Sequence, residues 1–188
     1  MEQQEKISLT IQPTPNPNAL KFIANRTVLD EGKISYRNPS ECGDIPIAAE
    51  LFKIRGVDTL HLFQNTITVN KFSYEEWDEL EEKILQTMSE YLPNHDSKIE
   101  QASNQTDRSH LSPELQKIEE ILDEQIRPGL QGDGGDLACL SFKDDILIIK
   151  YQGACGSCPS SSMGTLEAIR GILRDFYDPK IEVYIAPE

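Results

Sequence analysis

The sequence predicts two small α+β domains joined by a flexible linker, in a chain of 188 residues. Three observations lead to this fold class. Strand-like alternation and helix-like periodicity occur together in residues 1–92, and they occur together again in residues 113–188. Residues 93–112, between them, are polar and show no periodicity, which is typical of a linker. A chain of this length also suits one or two domains.

The first domain, residues 1–92, begins with an alternating segment at residues 7–11 that predicts a half-buried strand. Three prolines in residues 13–17 end this strand, because proline fixes φ and removes a backbone donor. Near the end of the domain, Ser73 and Glu76 have the spacing of a capping box and predict the start of a long helix. The other predicted elements are strands at residues 19–23, 57–63 and 66–72, a hairpin turn at residues 64–65, and a short helix at residues 45–54.

The sequence of the second domain, residues 113–188, predicts the element order αββαβ. Ser112 is placed as an N-cap and Pro113 as the first helical residue, where its missing N–H costs nothing. Pro128 and Gly129 end this helix, and the glycine-rich segment after them predicts a tight loop. The remaining predicted elements are strands at residues 137–142 and 146–151, a turn at residues 143–145, a helix at residues 163–176 and a closing strand at residues 181–185.

The charge and composition of the chain exclude several classes of partner. The formal net charge is -14 and both halves are acidic, so the basic stripe that binds a phosphate backbone is missing and we expect no nucleic-acid partner. No apolar run approaches the ~20 residues that span a bilayer, so we expect no membrane partner. Residues 1–6 resemble neither a signal peptide nor a transit peptide, and the sequence therefore predicts a cytoplasmic protein.

The chemistry of the chain is concentrated in two cysteines, Cys155 and Cys158. Two residues separate them, and the pair lies between a predicted strand and a predicted helix. Pro159 fits the first turn of that helix, so Cys158 is the expected N-cap. A helix N-terminus stabilises thiolate, and the short turn directs both sulfurs the same way. In a reducing cytosol such a pair binds metal or exchanges electrons more often than it forms a structural disulfide.

Four roles compete for this pair. A zinc site within one chain needs four ligands, but the three histidines lie outside the second domain, which disfavours it. A thiol–disulfide oxidoreductase is favoured by the strand–CxxC–helix layout but opposed by the helix that starts the domain. Simple packing of two thiols is disfavoured by the polar loop. Two copies of the chain would supply four thiolates, which suit a [4Fe–4S] cluster, with zinc as a possible substitute.

Two motifs in the second domain closely resemble the C-terminal domain of NifU-type iron–sulfur scaffold and carrier proteins. They are IRPGLQGDGGD at residues 126–136 and GACGSCPSS at residues 153–161. In the first domain, residues 13–22, PTPNPNALKF, resemble the signature of the N-terminal Nfu-type domain of two-domain members. The resemblance therefore covers most of the chain.

This resemblance implies a cluster carrier and not an enzyme. It implies that Cys155 and Cys158 are the cluster and iron ligands, and that a homodimer holds a bridging [4Fe–4S] cluster. The expected partners are an upstream scaffold protein, which supplies the cluster, and apo iron–sulfur client proteins, which receive it. The cysteine-rich segments of long nitrogen-fixation members are missing, which favours carriage over assembly from sulfide. We expect the first domain to select clients or to modulate the carrier domain.

Two further cysteines and two aspartates have simpler interpretations. Cys139 lies in a predicted strand and is expected to pack as a small buried hydrophobic residue. Cys42 lies in a Gly/Asp loop and is expected to be exposed and oxidisable. Asp133 and Asp136 are expected to form turns, because their spacing does not match a calcium-binding loop.

Overall fold

The computed structural model describes residues 6–43, 45–99, 108–156 and 161–187, and in the last range it describes the side chains of residues 164–187. The described residues contain eight strands and five α-helices, arranged as two sheets with separate hydrophobic cores. The predicted α+β class with two domains is confirmed. None of the described helices is both long enough and apolar enough to cross a membrane.

The first domain is a five-stranded antiparallel sheet in the order β1-β2-β5-β4-β3, with two helices packed on one face. Its elements are β1 (Leu9–Pro13), β2 (Ala19–Ala24), β3 (Lys33–Tyr36), α1 (Pro46–Lys53), β4 (Val57–Phe63), β5 (Thr66–Lys71) and α2 (Trp77–Tyr91). The predicted hairpin joins β4 to β5, and Gln64 takes a φ of 51° in its turn. The sequence did not predict β3, because four residues are too few to show an alternating pattern.

The start of α2 differs from the prediction. The helix begins at Trp77 with Glu76 as its N-cap, and no side chain caps it, so the predicted capping box at Ser73 is wrong. The chain instead forms a turn in which the N–H of Glu75 donates to the carbonyl oxygen of Phe72. The ring of Phe72 stacks on Tyr74 in this turn, which delays the start of the helix.

The second domain is a three-stranded sheet in the order β6-β7-β8, in which β6 and β7 are antiparallel and β7 and β8 are parallel. Its elements are α3 (Pro113–Gln125), α4 (Arg127–Gly132), β6 (Gly135–Lys143), β7 (Ile146–Gly153), α5 (Ser161–Phe176) and β8 (Glu182–Ile185). The predicted cap of α3 is confirmed, because Ser112 Oγ accepts from the N–H of Leu115 at 3.2 Å.

The predicted order αββαβ needs one correction. The predicted helix stop at Pro128 and Gly129 and the first two residues of the loop predicted at residues 131–136 lie instead in the short helix α4. Pro128 is compatible with a helix here because it lies in the first turn, where its missing N–H is not required. The observed order is therefore ααββαβ, and the tight turn begins only at Asp133.

The middle of the predicted linker, residues 100–107, lies outside the described residues. The described parts on either side of it contact different domains. His95 is buried in the first domain, where its Nε2 lies 2.6 Å from the carbonyl oxygen of Val28. Arg108 pairs with Asp123 of α3 at 2.6 Å.

Replacing Leu122 by alanine tests the core of the second domain. Leu122 is 0% exposed, whereas Leu140 of the same domain is 52% exposed. We expect Leu122→Ala to lower the free energy of unfolding by about 2–5 kcal/mol, because the smaller residue leaves a cavity. Leu140→Ala is the matched control and should cost less than about 1 kcal/mol. Urea denaturation followed by far-ultraviolet circular dichroism measures both, and equal losses would contradict this assignment of the core.

Candidate metal centre

Cys155 lies just after the end of β7, in the connection that leads to α5. The N–H of Gly156 donates to the carbonyl oxygen of Gly153 at 3.0 Å and closes a turn around Cys155. This places Cys155 between a strand and a helix, as predicted. Cys158 and Pro159 lie outside the described residues, so the predicted N-cap and the second thiol stay predictions.

The burial of Cys155 is a finding that the sequence did not predict. The polar loop suggested that its thiols stand outside the core, but Cys155 is only 8% exposed and packs with the core of the second domain. The neighbouring Ala154 and Gly153 are buried as well. The sulfur reaches this position because β6 and β7 leave room for it beside Gly135.

Two glycines make this room. A Cβ atom on Gly135 would overlap Cys155 Sγ and would lie 2.8 Å from the Cys155 backbone nitrogen. A Cβ atom on Gly153 would lie 2.5 Å from the carbonyl oxygen of Gly134, and Gly153 also has a φ of +60°. Side chains at both positions are therefore excluded by close backbone approach, and at Gly153 by conformation as well. The two glycine-containing motifs pack directly against each other around the thiol.

The carboxylate of Asp136, next to Gly135, is 0% exposed and is the centre of a buried ion-pair network. It accepts from Lys33 Nζ at 2.6 Å, from Arg127 Nε at 3.2 Å and from Gln131 Nε2 at 2.9 Å. Burial would raise the pKa of Asp136, but the Lys33 ammonium, together with these hydrogen bonds, holds the pKa below its usual range. Asp136 therefore stabilises the glycine-rich segment at residues 131–136, which we call the glycine loop, through its ion pairs.

Arg127 extends this network into the helices of the second domain. Its guanidinium pairs with Glu119 at 2.6 Å and with Asp123, both on α3. Arg108 also pairs with these two carboxylates, at 3.1 Å and 2.6 Å. The charges connect the loop beside Cys155 to the helix that starts the domain.

The first domain bonds directly to the backbone that precedes Cys155. Asn70 Nδ2 of β5 donates to the carbonyl oxygen of Gly153 at 3.1 Å. Asn16 Nδ2, in the loop after β1, donates to the carbonyl oxygen of Ala154 at 2.9 Å. Both bonds are buried, so the first domain fixes the position of two consecutive carbonyl groups next to the thiol.

Two lysines of the first domain bond to the glycine loop. Lys21 Nζ donates to the carbonyl oxygen of Gly132 at 2.5 Å. Lys33 Nζ, besides its pair with Asp136, donates to the carbonyl oxygen of Leu137 at 2.6 Å. The sequence did not point to these lysines, because nothing in a local pattern shows which distant loop a side chain will reach.

His61 of β4 is buried beside the same backbone. Its Nδ1 lies 2.7 Å from Ser35 Oγ, and its Nε2 has no hydrogen-bond partner among the described residues. A Cβ atom on Gly153 would lie 3.0 Å from His61 Cγ, which shows how closely the ring approaches the loop. Burial lowers the pKa of His61 to about 4, with Asp136 opposing the shift and Lys33 adding to it. In the described part of the chain, no three His, Cys, Asp or Glu side chains form a group that could hold a metal ion.

The other two cysteines are protected thiols. Cys42 is fully buried in the first core, so the prediction that it is exposed is wrong. The short 3-10 helix Pro39–Glu41 turns it inward, and burial, helped by Glu41, raises its pKa to about 11. Cys139 packs partly buried against the second core, broadly as predicted, and burial together with Glu119 raises its pKa. Neither thiol is an effective thiolate at neutral pH.

Comparison with known proteins decides the family. Residues 9–95 match the family model for the scaffold protein Nfu/NifU N-terminal domain, and residues 118–184 match the model for the NifU-like domain. The human protein named NFU1 iron-sulfur cluster scaffold homolog, mitochondrial, is 35% identical over 174 residues, which cover 91% of this chain and 68% of that protein. The chain belongs to the Nfu/NifU family. The resemblance noted in the sequence is thereby confirmed.

Two further proteins are similar to this chain. The Drosophila willistoni protein of the same name is 32% identical over 178 residues, which cover 91% of this chain but only 60% of that protein. The solution NMR structure of a NifU-like protein from Saccharomyces cerevisiae aligns with a TM-score of 0.46 and 23% identity, over 53% of this chain and 87% of that one. This Nfu/NifU chain spans about three fifths to two thirds of the length of the human and Drosophila willistoni proteins.

The comparisons contradict the predicted cytoplasmic location. The human and Drosophila relatives are named as mitochondrial proteins. The prediction was based on the composition of residues 1–6. The composition of such a short segment carries no information about the compartment in which the protein is located. A targeting segment takes no part in the fold, so the folded part of the chain does not show the protein's location either.

The low pKa of His61 predicts how the stability of the chain depends on pH. Between about pH 6.5 and about pH 4 the unfolded chain binds a proton at His61 that the folded chain does not, so stability falls as the pH falls through this window. We expect His61→Asn to remove up to about 1.4 kcal/mol per pH unit of this slope. Urea denaturation at several pH values measures the slope. The exposed His110→Asn is the control, and equal slopes in His61→Asn and the parent chain would contradict the prediction.

Proposed function

We propose that this chain carries an iron–sulfur cluster as cargo and delivers it to apo-proteins. The observation that carries the proposal is the position of Cys155. It belongs to a CxxC pair between a strand and a helix, and two glycines fix its place, in a chain of the Nfu/NifU family. The relatives named above are described as iron-sulfur cluster scaffold homologues. Carriage is not catalysis, so the chain is proposed to act as a carrier and not as an enzyme.

The number of thiolates favours a site shared by two copies of the chain. Cys155 and Cys158 supply two soft ligands, and a [4Fe–4S] cluster takes four. A two-fold axis brings the same pair from a second copy to the other side of the cluster, so a homodimer completes the site. Cys42 and Cys139 do not suit this role, because one lies in the core of the other domain and the pKa of each thiol is raised.

Delivery then proceeds by exchange of ligands at iron. A thiolate of the apo-protein forms a bond to an iron atom as the bond from that iron to Cys155 or Cys158 breaks. The proton that the incoming thiol loses is taken up by the departing cysteine, so charge balances and no electron is transferred. The same exchange in the opposite direction loads the cluster from an upstream scaffold protein.

Anaerobic reconstitution with ferrous iron and sulfide tests this function. We expect broad visible absorbance, about four irons per two chains, and a change from monomer to dimer in native mass spectrometry. Cys155→Ala and Cys158→Ala should each abolish cluster binding, because half of each chain's ligand pair is lost. Cys139→Ala is the matched control and should bind a normal amount of iron.

Two results would contradict the carrier function. If Cys139→Ala also lost the cluster, the assignment of ligands would be wrong. If the parent chain stayed colourless and instead reduced a disulfide substrate, the pair would belong to a thiol–disulfide oxidoreductase. An iron content of about two per dimer would contradict the [4Fe–4S] assignment alone and would leave carriage intact.

A further inference from the structure

The first domain contacts the backbone around Cys155 with part of one face of its sheet. One face carries the apolar core and the helices, and the other face is polar, including His61, Thr68 and Asn70. These three side chains are buried even though they point away from the first core. Hydrogen bonds from Asn70 to Gly153 and from Lys33 to the glycine loop cross this boundary, which we call the polar seam.

This docked arrangement keeps Cys155 away from a second copy of the chain. The thiol is buried, and the carbonyl groups of Gly153 and Ala154 that precede it are bonded to Asn70 and Asn16. A cluster shared by two chains requires each chain to present its sulfurs at a surface. The loop must therefore turn outward before it can bind such a cluster, and it cannot do so while both carbonyl groups are held.

The polar seam is also built so that it can separate. His61 Nε2, Asn70 Oδ1 and Gln152 Oε1 are buried and accept or donate no hydrogen bond within the described residues. Burying each such atom without a partner costs free energy, and this cost is removed when the two domains part and water hydrates the atom. Lys33 is partly desolvated at the seam, whereas Asp136 keeps Arg127 as a partner without it. Separation therefore exposes no unpaired charge inside the second domain.

We propose that Asn70 and Lys33 are positioning residues that hold the backbone around Cys155, at Gly153 and at Asp136, in a closed state, and that separation of the two domains releases Cys155 for cluster binding. This proposal rests on the carrier function proposed above. It assigns the first domain the role of a removable clamp on the backbone that precedes Cys155. Loading and delivery of the cluster then depend on whether the polar face of the first sheet is docked on the backbone around Cys155 or is free to contact a partner.

The rate at which iodoacetamide alkylates each cysteine tests the closed state in the cluster-free full chain. Asn70→Asp places a carboxylate oxygen against the carbonyl oxygen of Gly153 and keeps the size of the side chain. We expect alkylation of Cys155, located by fragment mass spectrometry under reducing conditions, to rise about tenfold or more, because the rate follows the population of the open state. Asn65→Asp is the matched control, since Asn65 Nδ2 bonds to the carbonyl oxygen of Ala24 within the first domain.

The thiols of Cys42 and Cys139 report on unfolding in the same experiment. Cys42 lies in the first core and Cys139 packs against the second core, so both rates should stay unchanged when only the seam opens. If Asn70→Asp unfolds the chain and raises the rates of Cys42 and Cys139 as well as that of Cys155, Lys33→Met provides the decisive measurement. It removes the bonds of Lys33 to Asp136 and Leu137, while the bonds of Asn16 and Lys21 across the boundary remain. Lys33→Met should accelerate alkylation of Cys155 but not of Cys42 or Cys139, and Lys33→Arg should restore most of the protection.

Two outcomes would overturn the closed state. One is a Cys155 rate in Lys33→Met and Asn70→Asp that equals the rate in Asn65→Asp. The other is a Cys155 in the parent chain that already reacts as fast as an unprotected thiol. Alkylation needs no cluster, so these outcomes are separate from a failure to bind iron. A chain with the expected alkylation pattern that binds no cluster would contradict the carrier function and keep the closed state.

Discussion

The buried carboxylate of Asp136 is the interaction on which the arrangement of the metal centre depends. A carboxylate with no exposed surface is stable in a protein only when cations and donors surround it. Lys33, Arg127 and Gln131 meet that requirement, and they come from β3, from the start of α4 and from its end. One charge thereby holds together a helix, the glycine loop and the neighbouring domain.

The position of Cys155 follows from that anchored loop. Because Asp136 fixes the start of β6, the adjacent Gly135 lies against the Cys155 thiol with no side chain between them. The pairing of β6 with β7 then aligns Gly135 with Gly153, two residues before the cysteine. The two motifs that are far apart in sequence are thus one structural unit, in which the first supplies the wall and the second supplies the thiol.

Local patterns in the sequence predicted the elements that depend on local chemistry. The β4–β5 hairpin followed from alternation, and the start of α3 followed from Ser112 and Pro113. The short strand β3 and the short helix α4 lacked the length to show a period. The pattern of β5, in which Thr68 and Asn70 alternate with apolar residues, is that of a strand with one polar face. It could not show that another domain covers that face, because alternation records polarity and not the identity of the neighbour.

The cysteines show that equal burial can have different physical consequences. Cys42 is covered by the apolar core of the first domain, so exposing it requires loss of hydrophobic packing. Cys155 also contacts a core, but the backbone that places it there is held by amide donors from across a domain boundary. Such polar bonds exchange for bonds to water at a small net cost, typically about 1 kcal/mol each. A thiol buried in this second way is protected without being permanently inaccessible, and the carrier function proposed above requires both properties of its ligands.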